Sequence, residues 1–350
     1  MSEIIWRRFR SHSDNLKSKI ENLKLVGLLA IALTFTLGGA VVDAQQTGKI
    51  FRIGYLDNST ASGMAVLLDA FRQELSKLGW IEGKNITIDH RFAEHKNERL
   101  PELAADLVRL KVDLIVVAAT PPALAAKRAT TTIPIVMAIA GNPVEAGLVA
   151  SLARPGGNVT GFSTLGSELN TKRLEILKDA VPKLERVGLL RQPGAGISPD
   201  LQMKELRPAA LFLKLKLEEI GTQPDAKGLE SAFKTAKQQQ VGAIMTIPNR
   251  PFFAERKRIV ELAVKYRLPA IYPDREFVDE GGLMSYGADY VDLFRKSAHY
   301  VDKILKGARA ADLPVQQATK FEFVINLKAA KQIGLTIPVR VLERANQVIK

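Results

Sequence analysis

Cysteine is missing from all 350 residues. Its absence excludes disulfides, thiol nucleophiles, thiolate metal sites and lipid attachment of the bacterial lipoprotein kind. Histidine is nearly as scarce, with only His12, His90, His95 and His299 in the chain. His90, Glu94 and His95 lie close enough in sequence to suggest metal ligands, yet a strand presenting His90 outward and a polar loop explain them better. No metal and no cofactor is expected. The chain also lacks a GxGxxG after a strand, a GxxxxGK[ST] and a GxSxG, so dinucleotide, phosphate-loop and hydrolase-elbow chemistry are not indicated. Glu218 and Glu219 adjoin on a predicted strand and face opposite sides, which rules them out as an acid/base dyad. No period of solenoid length and no low-complexity tract occurs. Nothing here nominates a catalytic residue, and no enzyme is expected.

What the chain does have begins with a leader. Basic segments WRRFR and KSKIENLK precede LVGLLAIALTFTLGGAVV, an uncharged run from Leu25 to Val42, followed by Asp43 and a small-residue site ending at Ala44. That order is the layout of a signal peptide over residues 1–44 and predicts export to the periplasm. An uncleaved membrane anchor is the alternative, because the apolar run approaches spanning length. Lys and Arg outnumber Asp and Glu, 50 to 37. These basic residues are scattered through helical runs such as ERKRIV, mixed with Glu, without an aromatic-interleaved stripe. They predict a solvated basic surface and no nucleic-acid partner.

Beyond the leader, strands and helices alternate. KIFRIGYL, NITIDHRFA, VDLIVVAA, IPIVMAIA and NVTGFST read as strands. MAVLLDAFRQELSKLG, NERLPELAADLVRLK, TPPALAAKRAT and NPVEAGLVASLA read as the intervening helices. Continuous apolar runs such as VDLIVVAA indicate strands buried on both faces of a parallel sheet. The alternation then restarts from ELNTKRLEILKDAVPKL and RVGLL, runs through FFAERKRIVELAVKY as one helix, and reaches GGLMSYG. DYVDLFRKSAHYVDKILKG and KFEFVINLKAAKQIGL follow as extra elements. The expected architecture is α/β, two doubly wound parallel-sheet lobes, with the first lobe at 45–162 and 285–310 and the second at 163–284 and 311–350. In PGGNVTG the glycines follow a helix and precede a strand, the reverse of a phosphate loop. They read as a joint, with Asn158, Val159, Thr160 and Gly161 as hinge residues.

In open parallel sheets ligands sit at the carboxyl ends of strands. The polar loops there offer Asp57 and Ser59 in DNSTASG, Thr120 and Pro121 in ATPPA, and Asn142 in AGNPVE. The second half offers Gln192 in RQPGAG, Asn249 in IPNRP, Tyr272 and Asp274 in IYPDR, and Ser285 and Tyr286 in MSYG. Hydroxyls and helix N-termini at about 0.3 to 2 kcal/mol each can jointly hold a small carboxylate.

The segments RIGYLDNS, LGWIEGKNITIDHRFAE, NPVEAGLVASLARPGGNVTGFST, RLPAIYPDREFVDEGGLMSYGADYVDLFRKSAHYVDKILKG and KFEFVINLKAAKQIGLTIP resemble exported ABC-transporter substrate-binding proteins related to tryptophan- and tyrosine-binding components. The resemblance spans Lys49 to Lys350. It implies a periplasmic-binding-protein-like fold of type I, with lobes joined by three crossing segments and no catalysis. It further implies a small solute, such as an amino acid or related carboxylate, held in a cleft between the lobes and passed to an inner-membrane permease by a monomer. By position, Ser59, Thr120 and Asn142 would form one wall and Asn249, Tyr272 and Ser285 the other. Two segments depart from the family pattern: LLRQPGAGISPD, and IPNRPFF, with asparagine where aspartate is common. The competing expectation is a two-lobed sensor acting with a signalling or regulatory partner.

Overall fold

The computed structural model describes residues 49–193 and 197–350. The leader expected over residues 1–44 and the tip of the RQPGAG loop lie outside the described residues. β1 (Phe51–Asp57), β2 (Ile86–Phe92), β3 (Leu114–Ala118), β4 (Ile135–Ala140) and β5 (Val159–Ser163) pair in parallel in the order β5-β4-β3-β1-β2. β3 and β4 are buried along their whole length, as a sheet covered on both faces requires. α1 (Ala61–Lys77) turns Met64, Leu67, Leu68, Phe71 and Leu75 inward at helical spacing, and Thr60 caps it by accepting from Gly63 N–H. α2 (Leu100–Arg109) and α3 (Thr120–Ala129) cover the other face.

The second sheet holds β6 (Arg186–Arg191), β7 (Lys216–Gly221), β8 (Ala243–Thr246), β9 (Ala270–Tyr272), β10 (Met284–Ala288), β12 (Phe321–Asn326) and β13 (Gln347–Ile349) in the order β13-β12-β10-β9-β8-β6-β7. β12 runs antiparallel to β10 while the other pairings are parallel. Its helices are α4 (Gly166–Ala180), α5 (Ile197–Phe212), α6 (Ala226–Gln238), α7 (Arg250–Ala254), α8 (Arg256–Lys265) and α9 (Arg275–Asp279), with α11 (Leu327–Ile333) and α12 (Val339–Leu342) near the end. The stretch expected as one helix from FFAERKRIV is thus two, broken at Glu255.

The chain passes between the sheets three times within the described residues. Thr164 and Leu165 lead from β5 into α4, with Leu165 in the left-handed region at φ 53°. Asp289 leads from β10 into α10 (Tyr290–Leu305), which packs on the first lobe through Trp80 Nε1 donating to Asp302 at 2.8 Å and Phe162 meeting Tyr300 at 4.9 Å. The third crossing follows β11 (Gln316–Gln317), which pairs with β5. Asp289 N–H donates to Lys320 O at 3.2 Å, tying the second and third crossings together.

Strand membership departs from the expected lobe limits in two places. Residues 285–288, expected with the first lobe, are paired into the second sheet; residues 316–317, expected with the second, are the edge of the first. Backbone pairing partners far away in sequence decide both. NPVEAGLVASLA does not form a helix either. Ala146 and Leu148 N–H groups bond back to Asn142 and Pro143 in a short wound turn, and Gly147 at φ 70° ends it.

Candidate functional site

The carboxyl ends of the two sheets face each other across a cavity of about 50 Å³. First-lobe residues Asn58, Thr120, Pro121, Gly141 and Thr164 line one side. Gln192, Ile247, Asn249, Arg250 and Phe252 line the other, and Tyr290 from α10 completes it. Leu190 and Ile139 add apolar surface at the strand ends.

Each wall is built by local structure. β3 enters α3 through Ala119, whose φ of 104° and ψ of 160° fall in a region essentially reserved for glycine. Ala119 N–H donates to Ile139 O at 2.8 Å, which holds this strained turn against β4. Thr120 Oγ1 accepts from Gly141 N–H at 3.3 Å. Pro121 and Pro122 lack N–H groups, so the N-terminus of α3 offers few free donors to a ligand. On the facing wall, Asn249 caps α7 by accepting from Phe252 N–H at 2.9 Å, and its Nδ2 donates to Gln192 at 3.3 Å. Gln192 Nε2 then donates to His95 O at 3.1 Å, so one side chain ties the second lobe to a first-lobe loop. Lys204 with Glu145 at 3.0 Å and Arg256 Nη1 with Gly63 O at 3.2 Å also span the lobes.

Of the residues expected from sequence, Thr120, Pro121, Gln192 and Asn249 line the cavity. Asp57 and Ser59 are fully buried and do not line it. Asp57 accepts from Tyr55 OH at 2.8 Å and Ser59 N–H at 2.7 Å. Burial pushes its carboxyl up to about 6, against the pull of these bonds and of Arg250. Asn142 is exposed and caps its own turn by accepting from Glu145 N–H at 3.2 Å. Tyr272 is core, stacked on Phe277 at 4.6 Å, and burial raises its hydroxyl pKa. Ser285 is buried in β10, and the Tyr286 ring packs against Phe323 at 6.2 Å. Asp274 is buried beside Arg250, with Oδ2 3.7 Å from Nη2. Desolvation raises its carboxyl pKa, and Arg250 and Arg173 oppose that rise.

The segment expected as a hinge sits within the first lobe. Asn158 Nδ2 donates to the carbonyls of Thr130 and Ile133, and Thr160 Oγ1 donates to Leu313 O at 2.6 Å. Val159 is buried in β5. Gly161 has φ 129° where β5 and β4 slip register. His90 Nε2 lies 2.9 Å from Arg72 Nη2, and no group of three metal-ligating side chains occurs among the described residues.

Arg250, Asn58, Thr164, Phe252 and Tyr290 also line the cavity, although none is among the residues expected from sequence. Arg173 is buried, donating to Tyr286 O at 2.6 Å and to Asn170. The sequence does carry a signal for Arg250: a charged residue opens an otherwise apolar helix, directly after the strand-end Asn249.

Comparison with known proteins agrees with this architecture. A tyrosine-binding protein of Clostridioides difficile (strain R20291) is 31% identical over 268 residues, covering 76% of this chain and 75% of that protein. A solved conserved domain protein from Vibrio cholerae O1 biovar El Tor superposes with a TM-score of 0.77 at 29% identity, covering 86% of this chain and all of the other. A domain from Streptococcus pneumonia solved in complex with L-Trp gives 0.74 at 28% identity, with 85% and 100% covered. Residues 60–349 match the model of the ABC transporter substrate binding protein family. The chain belongs to that family of substrate-binding proteins, built on the two-lobed, type I periplasmic-binding-protein fold.

Proposed function

We propose that the chain is the exported solute receptor of an ABC importer and takes an aromatic amino acid, or a related carboxylate, between its lobes. The observation that carries this reading is the cavity shared by both sheets' carboxyl ends. Amide and hydroxyl groups of Asn58, Thr120, Gln192 and Asn249 stand there beside apolar surface from Ile139, Leu190, Ile247 and Phe252. That mixture suits a ligand with one polar end and one ring. The tyrosine-binding relative and the neighbour holding L-Trp point to the same ligand class. Basic and apolar leader segments favour delivery across the inner membrane, and a membrane permease would receive the solute. Among the described residues no helix is long and apolar enough to cross a membrane.

Thermal denaturation of the purified chain with L-tryptophan, L-tyrosine and L-phenylalanine tests the reading. A ligand at 100 times its Kd should add about 2.7 kcal/mol of stability. Absence of any shift with all three, confirmed by calorimetry, would overturn the aromatic amino acid assignment.

A further inference from the structure

Arg250 is 2% exposed at the start of α7, where it lines the cavity. Neither Nη1 nor Nη2 finds a hydrogen-bond acceptor among the described residues. Its guanidinium carbon stands 4.7 Å from the Phe253 ring centroid and 4.5 Å from that of Tyr290. Contacts of this kind hold the planar group and leave its N–H edges for acceptors. The nearby carboxylates do not fill that need. Asp57, held by Tyr55 and Ser59, makes no hydrogen bond or ion pair with Arg250. Asp274 balances the charge as a buried ion pair, but at 3.7 Å it is beyond hydrogen-bonding distance and leaves both terminal nitrogens without an acceptor.

Buried guanidinium N–H groups without hydrogen-bond acceptors are costly, and a fork of parallel N–H groups matches a carboxylate. The cavity is where such a group can enter. Asn249 fixes the backbone of α7 by its cap, so Arg250 is held on a defined element and not on a loose loop. We infer that Arg250 anchors the carboxylate of the bound solute and makes the cleft select acids over neutral analogues of the same shape. This rests on the reading of the cleft as a site for an amino acid or related carboxylate, and it assigns that group's partner.

The experiment is calorimetric titration of the full chain with L-tryptophan and L-tryptophanamide, repeated on Arg250→Gln and Arg250→Lys. Wild type should favour the acid by about 10- to 100-fold, and Arg250→Gln should bring that ratio to within about threefold of one by weakening the acid alone. Arg250→Lys, which keeps charge without the fork, should fall between. A wild-type ratio near one overturns the inference without needing a folded variant, as does a ratio that survives in Arg250→Gln. If wild type binds none of L-tryptophan, L-tyrosine and L-phenylalanine, the aromatic amino acid reading fails separately. The same comparison with benzoate against benzamide and succinate against succinamide then decides on Arg250. Binding of neither acid overturns it too.

Discussion

A methyl group placed on Gly63 would stand 2.6 Å from the Cα of Ala254. Gly63 lies in α1 of the first lobe and Ala254 ends α7 of the second, so the two lobes touch here at a distance that only glycine allows.

Gly63→Ala should therefore hold the lobes apart. Alanine favours the helix itself by about 0.5 to 1 kcal/mol, so the first lobe should not lose stability. Affinity for the solute should drop at least about tenfold, because the binding-competent arrangement becomes less populated. Calorimetry and small-angle scattering check this together; unchanged affinity would show that the contact is not needed for binding.

Asp57 gives a pH dependence whose sign can be worked out. Its carboxyl sits at about 6 in the folded chain against 3.8 ordinarily, so the folded state binds the proton more tightly. That contribution is complete below the ordinary value and is lost as pH rises through about 6. Asp57→Asn retains an acceptor for Ser59 N–H and should gain up to about 3 kcal/mol relative to wild type between acid and neutral pH. Urea unfolding at both pH values measures the gap, and a gap that stays constant refutes the assignment.

Arg173 joins α4 to β10 from inside the second lobe. Arg173→Met would strip Tyr286 O of its donor and leave Asp274 with one cationic neighbour fewer. The expected loss is about 1 to 3 kcal/mol of stability, from a buried carbonyl deprived of that donor. Arg173→Lys should lose less. Equal losses in both variants would mean that packing, not charge, sets the effect.

Gly161 separates a hinge from a structural glycine. A β-carbon there would meet the backbone of Met137, with its nitrogen only 2.6 Å away, and φ is 129°. Gly161→Ala should cost about 3 kcal/mol or more in unfolding free energy. A variant with normal stability and altered closure would instead favour the hinge role.

Periodicity carried much of the architecture. Leu114 to Ala118 has to be buried on both faces because nothing in it is polar, and α1 repeats its apolar side chains every three or four residues. The NPVEAG stretch misled because its composition is helical while Pro143 and Gly147 close it into a single wound turn. In the cleft, Thr120 and Asn249 were legible because a cap and a strand end are local features. Tyr272 was not, since its ring direction depends on how Phe277 of α9 folds over β9.

By itself the sequence determined two successive runs of parallel strands with their helices, because burial patterns of period two and 3.6 are written within a few residues. Only the tertiary structure decided that β11 returns to the first sheet, that Gln192 reaches His95 across the lobes, and that Arg250 lies buried at the cavity while Tyr272 joins the core. Those outcomes depend on contacts between residues far apart in the chain, where hydrogen-bond partners and desolvation, not local pattern, select the arrangement.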